Sequence, residues 1–146
     1  MKIAIFPGSF DPFTRGHQAV VDEALTLFDK VVIAIGDNVN KRSLLSVENR
    51  LRLIGDIYRD NPRIECKSYA TLTGEFAQEL GATAIIRGVR NTVDFEYERN
   101  IADINRLLTN IDTLILISEP QYASISSSMV RELAHFGKNV DPYLPK

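Results

Sequence analysis

Short apolar runs alternate with stretches of helical periodicity along the whole chain. The apolar runs predict strands at residues 2–6, 30–35, 63–69, 83–86 and 113–118. The runs KVVIAI, TAII and TLILIS are almost continuously apolar, which is typical of strands covered on both faces in a parallel sheet. Between the strands, apolar residues recur every three or four positions and predict helices near residues 16–28, 47–59, 75–80, 92–108 and 128–136.

This alternation of strands and helices predicts a doubly wound α/β fold. Ser46 has the side chain of a helix N-cap, and Gly81 and Gly137 stand where helices are expected to end. No linker, repeat or low-complexity stretch divides the 146 residues. We therefore expect a single Rossmann-like domain over residues 1–146, with a five-stranded parallel sheet in the order 3-2-1-4-5.

Composition and charge narrow the classes of function. The chain is 45% hydrophobic and 25% charged, and no apolar run approaches the roughly 20 residues that span a bilayer. The start MKIAIFPGSF is too short for a secretory signal, and Cys66 is the single cysteine, so we expect a cytoplasmic protein without disulfides. The formal net charge of −2 predicts no general affinity for nucleic acid or membrane, and an anionic ligand must therefore meet local cations.

In a doubly wound fold, ligands bind beyond the carboxyl ends of the strands, where the strand order reverses. The loop after the first strand reads PGSFDPFTRGH. Gly8 allows close approach to the backbone, Ser9 offers a hydroxyl, and Thr14 can cap the next helix. The N-terminal field of that helix attracts anions and favours a neutral, hydrogen-bond-donating His17 in the first turn. A structural loop with a buried histidine is the alternative, because the loop matches neither G-x-x-x-x-G-K-[ST] nor G-x-G-x-x-G.

The loop after the fourth strand carries cations. Arg87 and Arg90 bracket Gly88 at the end of an apolar strand, where guanidinium groups suit phosphate contacts. Surface solvation is the alternative for this pair. Glu98 lies further along the next helix and, taken alone, is expected to be a solvated carboxylate.

Two further loops at the same edge hold hydroxyls and basic residues. After the fifth strand, three consecutive serines at a helix start predict another phosphate cradle, with one of them as the cap. Arg131 in that helix either contacts phosphate or is solvated. After the second strand, Lys41 and Arg42 are either a solvated basic pair or a means of bringing a lysine over a ligand.

Taken together, these motifs are similar to those of a known family. Thr14-Arg15-Gly16-His17 matches the T-x-G-H signature of nucleotidylyltransferases. With IRGVR, DFEYE and ISSSMVRE in order and at fitting spacings, the chain from residue 2 to about residue 145 closely resembles bacterial phosphopantetheine adenylyltransferases. The resemblance implies that ATP and 4′-phosphopantetheine give 3′-dephospho-coenzyme A and pyrophosphate, the penultimate step of coenzyme A synthesis. It also implies in-line attack without a covalent enzyme intermediate, and Mg²⁺ held mainly by ATP phosphates and water.

The resemblance also implies a role for each candidate site residue. His17 would donate to the α-phosphate in the transition state, Lys41 and Arg87 would hold the pantetheine phosphate, and Ser9 would contact it. Thr73 would line the pantetheine arm. The residues expected around ATP are Ser9, Phe10, His17, Gly88, Val89, Arg90, Glu98, Tyr122, Ala123, Ser124, Ile125, Ser126, Ser127 and Ser128.

The family further implies a homo-oligomer, a hexamer, and feedback binding of coenzyme A. One alternative is a sister enzyme with the same loop, a nicotinate mononucleotide adenylyltransferase or a cytidylyltransferase, against which RGVR, DFEYE and the triple serine argue. The other is a nucleotide-binding module without catalysis. Such a module needs a phosphate cradle but neither His17 nor a second anion site, so Lys41 and Arg87 favour an enzyme.

Overall fold

Parallel strands form one sheet in the computed structural model, which describes residues 1–37 and 42–146. In this part of the chain the strands are β1 (Ile3–Gly8), β2 (Lys30–Gly36), β3 (Ile64–Tyr69), β4 (Ala84–Val89) and β5 (Asp112–Ile117). They lie in the order β3-β2-β1-β4-β5, so the winding reverses between β1 and β4. The predicted strands and their predicted order are confirmed.

The helices follow the strands in alternation and agree with the predicted ones. They are α1 (Arg15–Ala24), α2 (Val47–Ile57), α3 (Thr73–Glu79), α4 (Thr92–Thr109) and α5 (Ser127–His135), with short 3-10 turns at Pro120–Tyr122 and Asp141–Tyr143. The first helix is shorter than expected because the amides of Thr26 and Leu27 bond to carbonyls only three residues back, which tightens the last turn. No helix of the described residues is long and apolar enough to cross a bilayer.

The predicted end signals act as expected. The Ser46 hydroxyl accepts the amide of Asn49 at 3.1 Å and caps α2. Gly81 and Gly137 follow α3 and α5 with φ of +67° and +71°, the left-handed conformation in which glycine has no steric penalty.

Buried apolar side chains fill both faces of the sheet. One cluster joins the strands to α1 and α2 and includes Ala4, Phe6, Ile33, Ile86, Val21, Ala24 and Ile54. The other joins the strands to α3 and contains Ile5, Ala34, Ile85, Phe76, Ala77 and Ile111. Successive residues of β1 enter opposite clusters, because side chains alternate along a strand. The expectation of two covered faces is confirmed for β2 and β4.

For β5 that expectation is wrong. Leu114 is exposed, and Ile117 keeps 80% of its surface exposed. The reason is position, because β5 is the edge strand and pairs only with β4. An apolar run therefore cannot by itself distinguish a central strand from an edge strand whose outer face remains open.

Substitution of two helical glycines, one in α3 and a control in α2, tests how closely α3 packs on α4. A Cβ on Gly74 would lie 2.9 Å from Cγ2 of Thr109, whose hydroxyl is fixed by a 2.7 Å bond to the Asn105 carbonyl. We expect Gly74→Ala to lower the free energy of unfolding by about 1–2 kcal/mol through overpacking.

Gly55→Ala in α2 is the matched control, since its Cβ would meet nothing within 4 Å. That change should raise the free energy of unfolding by about 0.5–1 kcal/mol. Denaturant unfolding of both variants measures the difference. Equal stability of the two variants would contradict the close packing of α3 on α4.

Candidate active site

Two neighbouring cavities lie beyond the carboxyl ends of the strands, where the winding reverses. The larger has a volume of about 620 Å³ and lies between the ends of β2 and β3 and the helix α4. The smaller has a volume of about 350 Å³ and lies between the loop after β1, the end of β4 and the start of α5. They share a wall that contains Ser9, Arg87, Tyr97 and Glu98. A ligand in one cavity therefore lies next to a ligand in the other.

His17 is built into the start of α1. The Thr14 amide donates to Nδ1 of His17 at 3.0 Å, and the His17 amide donates to the Thr14 hydroxyl at 3.4 Å. This reciprocal arrangement is a capping box. Because Nδ1 accepts from a backbone N–H, the ring proton of the neutral imidazole is on Nε2. His17 thus lines the smaller cavity as a hydrogen-bond donor.

Aromatic rings surround the imidazole. Phe10 lies edge-on at 5.0 Å between ring centroids, Phe13 at 5.4 Å and Phe6 at 6.1 Å. Burial, with a smaller contribution from the charges of Arg87 and Arg90, lowers the pKa of His17 to about 3. The neutral state expected from the sequence agrees with this environment. Its main cause is burial among rings, whereas the sequence argument used the helix field.

Phe10 changes the role expected for Gly8. A Cβ on Gly8 would lie 2.9 Å from Cζ of Phe10, so the glycine leaves room for an aromatic ring, and its backbone also lines both cavities. Phe10 is 3% exposed and has φ of +49°, which is unusual for a residue with a side chain. Its ring belongs to the core, and the residue also lines the smaller cavity.

Arg87 and Glu98 form an ion pair in the shared wall. Nε and Nη2 of Arg87 donate to the two carboxylate oxygens of Glu98 at 2.8 and 2.7 Å, and Nη1 donates to the Pro7 carbonyl. Glu98 is only 5% exposed. The expectation of a solvated Glu98, made from the residue alone, is therefore wrong. It failed because α4 turns this position towards the end of β4, which the local pattern does not reveal.

Arg90 also pairs with a carboxylate of α4, which lies one turn nearer the start of that helix than the partner of Arg87. Its Nε donates to Asp94 at 2.9 Å and its backbone amide donates to the same oxygen at 3.1 Å. Burial raises the pKa of Asp94, but these hydrogen bonds and the charge of Arg90 outweigh it and hold the pKa below its ordinary value. Both arginines expected to bind phosphate are thus oriented by carboxylates of α4.

The three serines at the start of α5 have different partners. Ser126 is the cap and accepts the Met129 amide at 3.1 Å, as the sequence predicted for one of them. Ser127 donates to the Pro12 carbonyl at 2.7 Å. Arg131 donates to Ser128 at 3.1 Å and to the Asp11 carbonyl at 2.7 Å. Arg131 therefore joins α5 to the loop after β1 and also lines the smaller cavity.

Thr73 begins α3 at the rim of the larger cavity. Its hydroxyl lies 2.8 Å from the hydroxyl of Tyr69, whose ring stacks on Phe76 at 4.8 Å. Lys41, expected to hold a phosphate, lies outside the described residues. Three of the residues expected around ATP, Val89, Ala123 and Ser124, do not line the smaller cavity, whereas the other eleven do.

Sequence reasoning missed Asp94 and Tyr97 of the cavity walls and two buried residues beside the site. Tyr97 lies in the wall between the cavities, within the DFEYE motif. Asp11 and Arg50 are buried polar residues that hold the loop after β1. Pro12 next to Asp11 indicated a rigid turn, but no pattern in the sequence indicated that Arg50 reaches this loop. Among residues 1–37 and 42–146, no three His, Cys, Asp or Glu side chains are grouped as metal ligands.

Comparison with known proteins finds a family match, close relatives over the full length and a structure of similar fold. A profile of the cytidylyltransferase-like family matches residues 5–133. The phosphopantetheine adenylyltransferase of Bacteroides thetaiotaomicron is 49% identical, and that of Phocaeicola vulgatus 51%, over all of this chain and 97% of each relative. A protein from Vibrio parahaemolyticus described as a nicotinate-nucleotide adenylyltransferase has a similar fold, with a TM-score of 0.67, 21% identity and coverage of 100% of this chain and 95% of that one.

The desolvated imidazole of His17 predicts a pH-dependent stability. An unfolded histidine takes up a proton near pH 6.5, whereas the folded chain resists protonation of His17 until a pH of about 3. The unfolded state therefore binds more protons in this window, and stability decreases as the pH falls. We expect this residue to contribute a slope of up to about 1.4 kcal/mol per pH unit, present in the wild type and lost in His17→Gln.

Denaturant unfolding between pH 4 and 7 measures the slope, with His135→Gln as control because His135 is exposed and lies outside both cavities. The ¹⁵N spectrum of the imidazole should show the proton on Nε2 throughout. Equal slopes for wild type and His17→Gln would contradict the lowered pKa of His17, and a proton on Nδ1 would contradict the capping-box geometry.

Proposed function

The chain belongs to the cytidylyltransferase-like family and, within it, to the phosphopantetheine adenylyltransferases, and we propose from this how its two cavities work. It transfers the adenylyl group of ATP to 4′-phosphopantetheine and produces 3′-dephospho-coenzyme A and pyrophosphate. The observation that carries the assignment of the cavities is their shared wall at Ser9 and Arg87, with His17 beside it. Two phosphates that must react with each other can meet there. Because one sheet carries both cavities, we propose that residues 1–146 act as one domain.

We assign ATP to the smaller cavity and the pantetheine arm to the larger one. The smaller cavity has the cations Arg90 and Arg131 and the first amides of α5, which suit a triphosphate. The larger cavity extends from Arg87 past Thr73 and Tyr69 and offers hydroxyls and apolar surface to an uncharged arm with amide groups. Lys41 remains a proposed second cation for the pantetheine phosphate.

The reaction needs alignment and charge stabilisation rather than a protein nucleophile. An oxygen of the pantetheine phosphate forms a bond to the α-phosphorus as the bond from that phosphorus to the pyrophosphate oxygen breaks. His17 donates its Nε2 proton in a hydrogen bond to the α-phosphate as charge accumulates in the transition state. Since Nδ1 is already held by Thr14 at 3.0 Å, the donor needs no reorganisation during the reaction.

Two carboxylates of α4 orient the arginines that are proposed to bind the substrates. Glu98 holds two nitrogens of Arg87, and Asp94 holds those of Arg90, so each guanidinium has a fixed plane at its cavity wall. We propose that the pantetheine phosphate binds to Arg87 beside Ser9 and that the ATP phosphates bind to Arg90. Glu98 lines both cavities and is proposed to contact ATP as well as to orient Arg87.

Nucleotidyl transfer generally uses a divalent metal, and we propose Mg²⁺ for this chain. The carboxylates Asp94 and Glu98 of the smaller cavity are engaged by arginines, so this donor set suits an ion carried mainly by ATP phosphates and water. When bound, Mg²⁺ lowers the negative charge that the triphosphate presents. A cytoplasmic location and feedback binding of coenzyme A, both expected from the sequence, stay predictions.

Pyrophosphate release with ATP, Mg²⁺ and 4′-phosphopantetheine tests the proposed function. We expect release with this pair and the mass of 3′-dephospho-coenzyme A in the product. Nicotinate mononucleotide in place of phosphopantetheine, and CTP in place of ATP, should give little release. Preference for nicotinate mononucleotide, or ATP binding without release, would overturn the proposal in favour of a sister enzyme or a non-catalytic module.

His17→Ala tests the proposed transition-state donor. Loss of one aligned donor to developing charge commonly lowers kcat by about 10²–10³-fold, and ATP affinity measured by calorimetry should change little. His135→Ala is the control, since His135 lies outside both cavities. Full activity of His17→Ala would show that the mechanism assigns the wrong residue.

We also propose that the chain forms a homo-oligomer, a hexamer by resemblance. Helix α4 carries an exposed apolar stripe of Val93, Tyr97, Ile101, Ile104 and Leu108, of which Tyr97 and Ile101 also line the larger cavity. Leu114 and Ile117 of the edge strand β5 are exposed as well. Contiguous apolar patches of this kind are typical of surfaces that another chain covers.

Ile104→Asp tests this surface. A charge in the middle of a buried interface should dissociate the assembly and lower its mass in light scattering and sedimentation. Leu53→Asp on α2 is the control, because Leu53 is also exposed but lies on another helix. A monomeric wild type, or an unchanged mass for Ile104→Asp, would contradict an oligomer built on α4.

A further inference from the structure

Arg50 is a buried cation that reaches from α2 into the loop after β1. The residue is 4% exposed. Its Nη1 donates to the Ser9 carbonyl at 2.7 Å, and its Nε donates to the carbonyls of Leu45 and Ser46 at 3.1 and 3.3 Å. These bonds attach Ser9, a residue of the wall between the cavities, to the start of α2.

Asp11 makes the reverse connection, from the loop after β1 to the segment before α2. It is 2% exposed, and its carboxylate accepts the amides of Leu44 and Leu45 at 2.7 and 2.8 Å. Its backbone carbonyl accepts Nη1 of Arg131 at 2.7 Å. Asp11 therefore bonds to α5 on one side and to the segment before α2 on the other.

Phe10 lies between these two attachments. Its φ of +49° is a conformation that a bulky residue keeps only when the surrounding structure holds it. The holding contacts are those of Arg50 on the carbonyl of residue 9 and those of Asp11 immediately after it. Strained residues held in this way concentrate at functional sites.

We propose that Arg50 and Asp11 are positioning residues that set Ser9 and Phe10 against His17 and so align the two reacting phosphates. The inference rests on the proposed function, because it concerns the same wall between the cavities. Neither residue lines either of the two cavities, so we assign neither a direct contact with substrate. Their effect passes through the backbone of residues 9–11, which forms one side of the position where the phosphates meet.

The alignment has a large effect on rate. A displacement of about 1 Å in a group that positions a substrate can lower the rate by about 10²-fold. Loss of alignment in the transition state lowers kcat, whereas loss of uniform binding raises KM. Variants of these two residues should therefore change kcat much more than they change KM for ATP.

Arg50→Lys and Arg50→Met test the first residue. Lysine keeps the charge and one donor near the Ser9 carbonyl, so we expect kcat to fall about tenfold, against about 10²-fold for methionine. KM for ATP should stay within about threefold. Arg52→Lys and Arg52→Met are the controls, since Arg52 is exposed on the same helix and bonds only weakly to Asn49, at 3.4 Å.

Asp11→Asn tests the other attachment of the same loop. It also tests the proposal independently if Arg50→Met does not fold. The amide keeps an acceptor for one of the two backbone N–H groups and presents a donor to the other, so kcat should again fall about tenfold or more with KM for ATP nearly constant. Asp60→Asn is its control, because Asp60 is exposed and outside both cavities. Thermal unfolding and circular dichroism of each variant give the folded fraction at the assay temperature.

A fall in kcat for folded variants, with KM and the controls unchanged, supports the positioning role. Unchanged kcat in Arg50→Lys, Arg50→Met and Asp11→Asn overturns it, and so does an activity loss that only follows the unfolded fraction. Wild-type protein assayed in parallel separates the two proposals. If it releases no pyrophosphate from ATP and phosphopantetheine, the proposed function fails first and the inference fails with it.

Discussion

In the first turn of α1, the backbone N–H of Thr14 donates to Nδ1 of His17 at 3.0 Å, and the imidazole thereby becomes part of the end of its own helix. This contact satisfies an amide that the helix leaves without a partner. It also fixes which ring nitrogen carries the proton. The rings of Phe6, Phe10 and Phe13 then keep the imidazole neutral by excluding water. Helix capping and the proposed chemistry thus depend on the same hydrogen bond.

The surrounding loops hold this histidine in relation to the two cavities. The loop after β1 is attached to α2 through Arg50, to the segment before α2 through Asp11, and to α5 through Ser127 and Arg131. The cations of the site are in turn oriented by carboxylates of α4. Several elements distant in sequence therefore meet at one wall, where a direct transfer between two phosphates needs fixed geometry.

Much of the fold followed from local pattern. The strand at residues 30–35 was recognisable because five consecutive buried side chains leave an unbroken apolar run, and Ser46, Gly81 and Gly137 marked helix ends through their own conformational preferences. The motif containing His17 predicted a neutral donor in a helix first turn. The same reasoning wrongly predicted a solvated Glu98, because the burial of this residue and its pairing with Arg87 depend on how α4 lies against the end of β4. The prediction that both faces of β5 are covered was wrong for a similar reason, since whether a strand lies at the edge or the centre is a property of the whole sheet.

The sequence by itself determined the alternation of elements and the chemistry available in each loop, because periodicity, caps and side-chain type act over a few neighbouring residues. Only the tertiary structure decided which groups pair. It placed the guanidinium of Arg50 on the Ser9 carbonyl across 41 positions and that of Arg87 on the Pro7 carbonyl across 80. It also gave the space beside Gly8 to the ring of Phe10. Contacts of this kind follow from packing distant segments into one volume, and no local pattern records them.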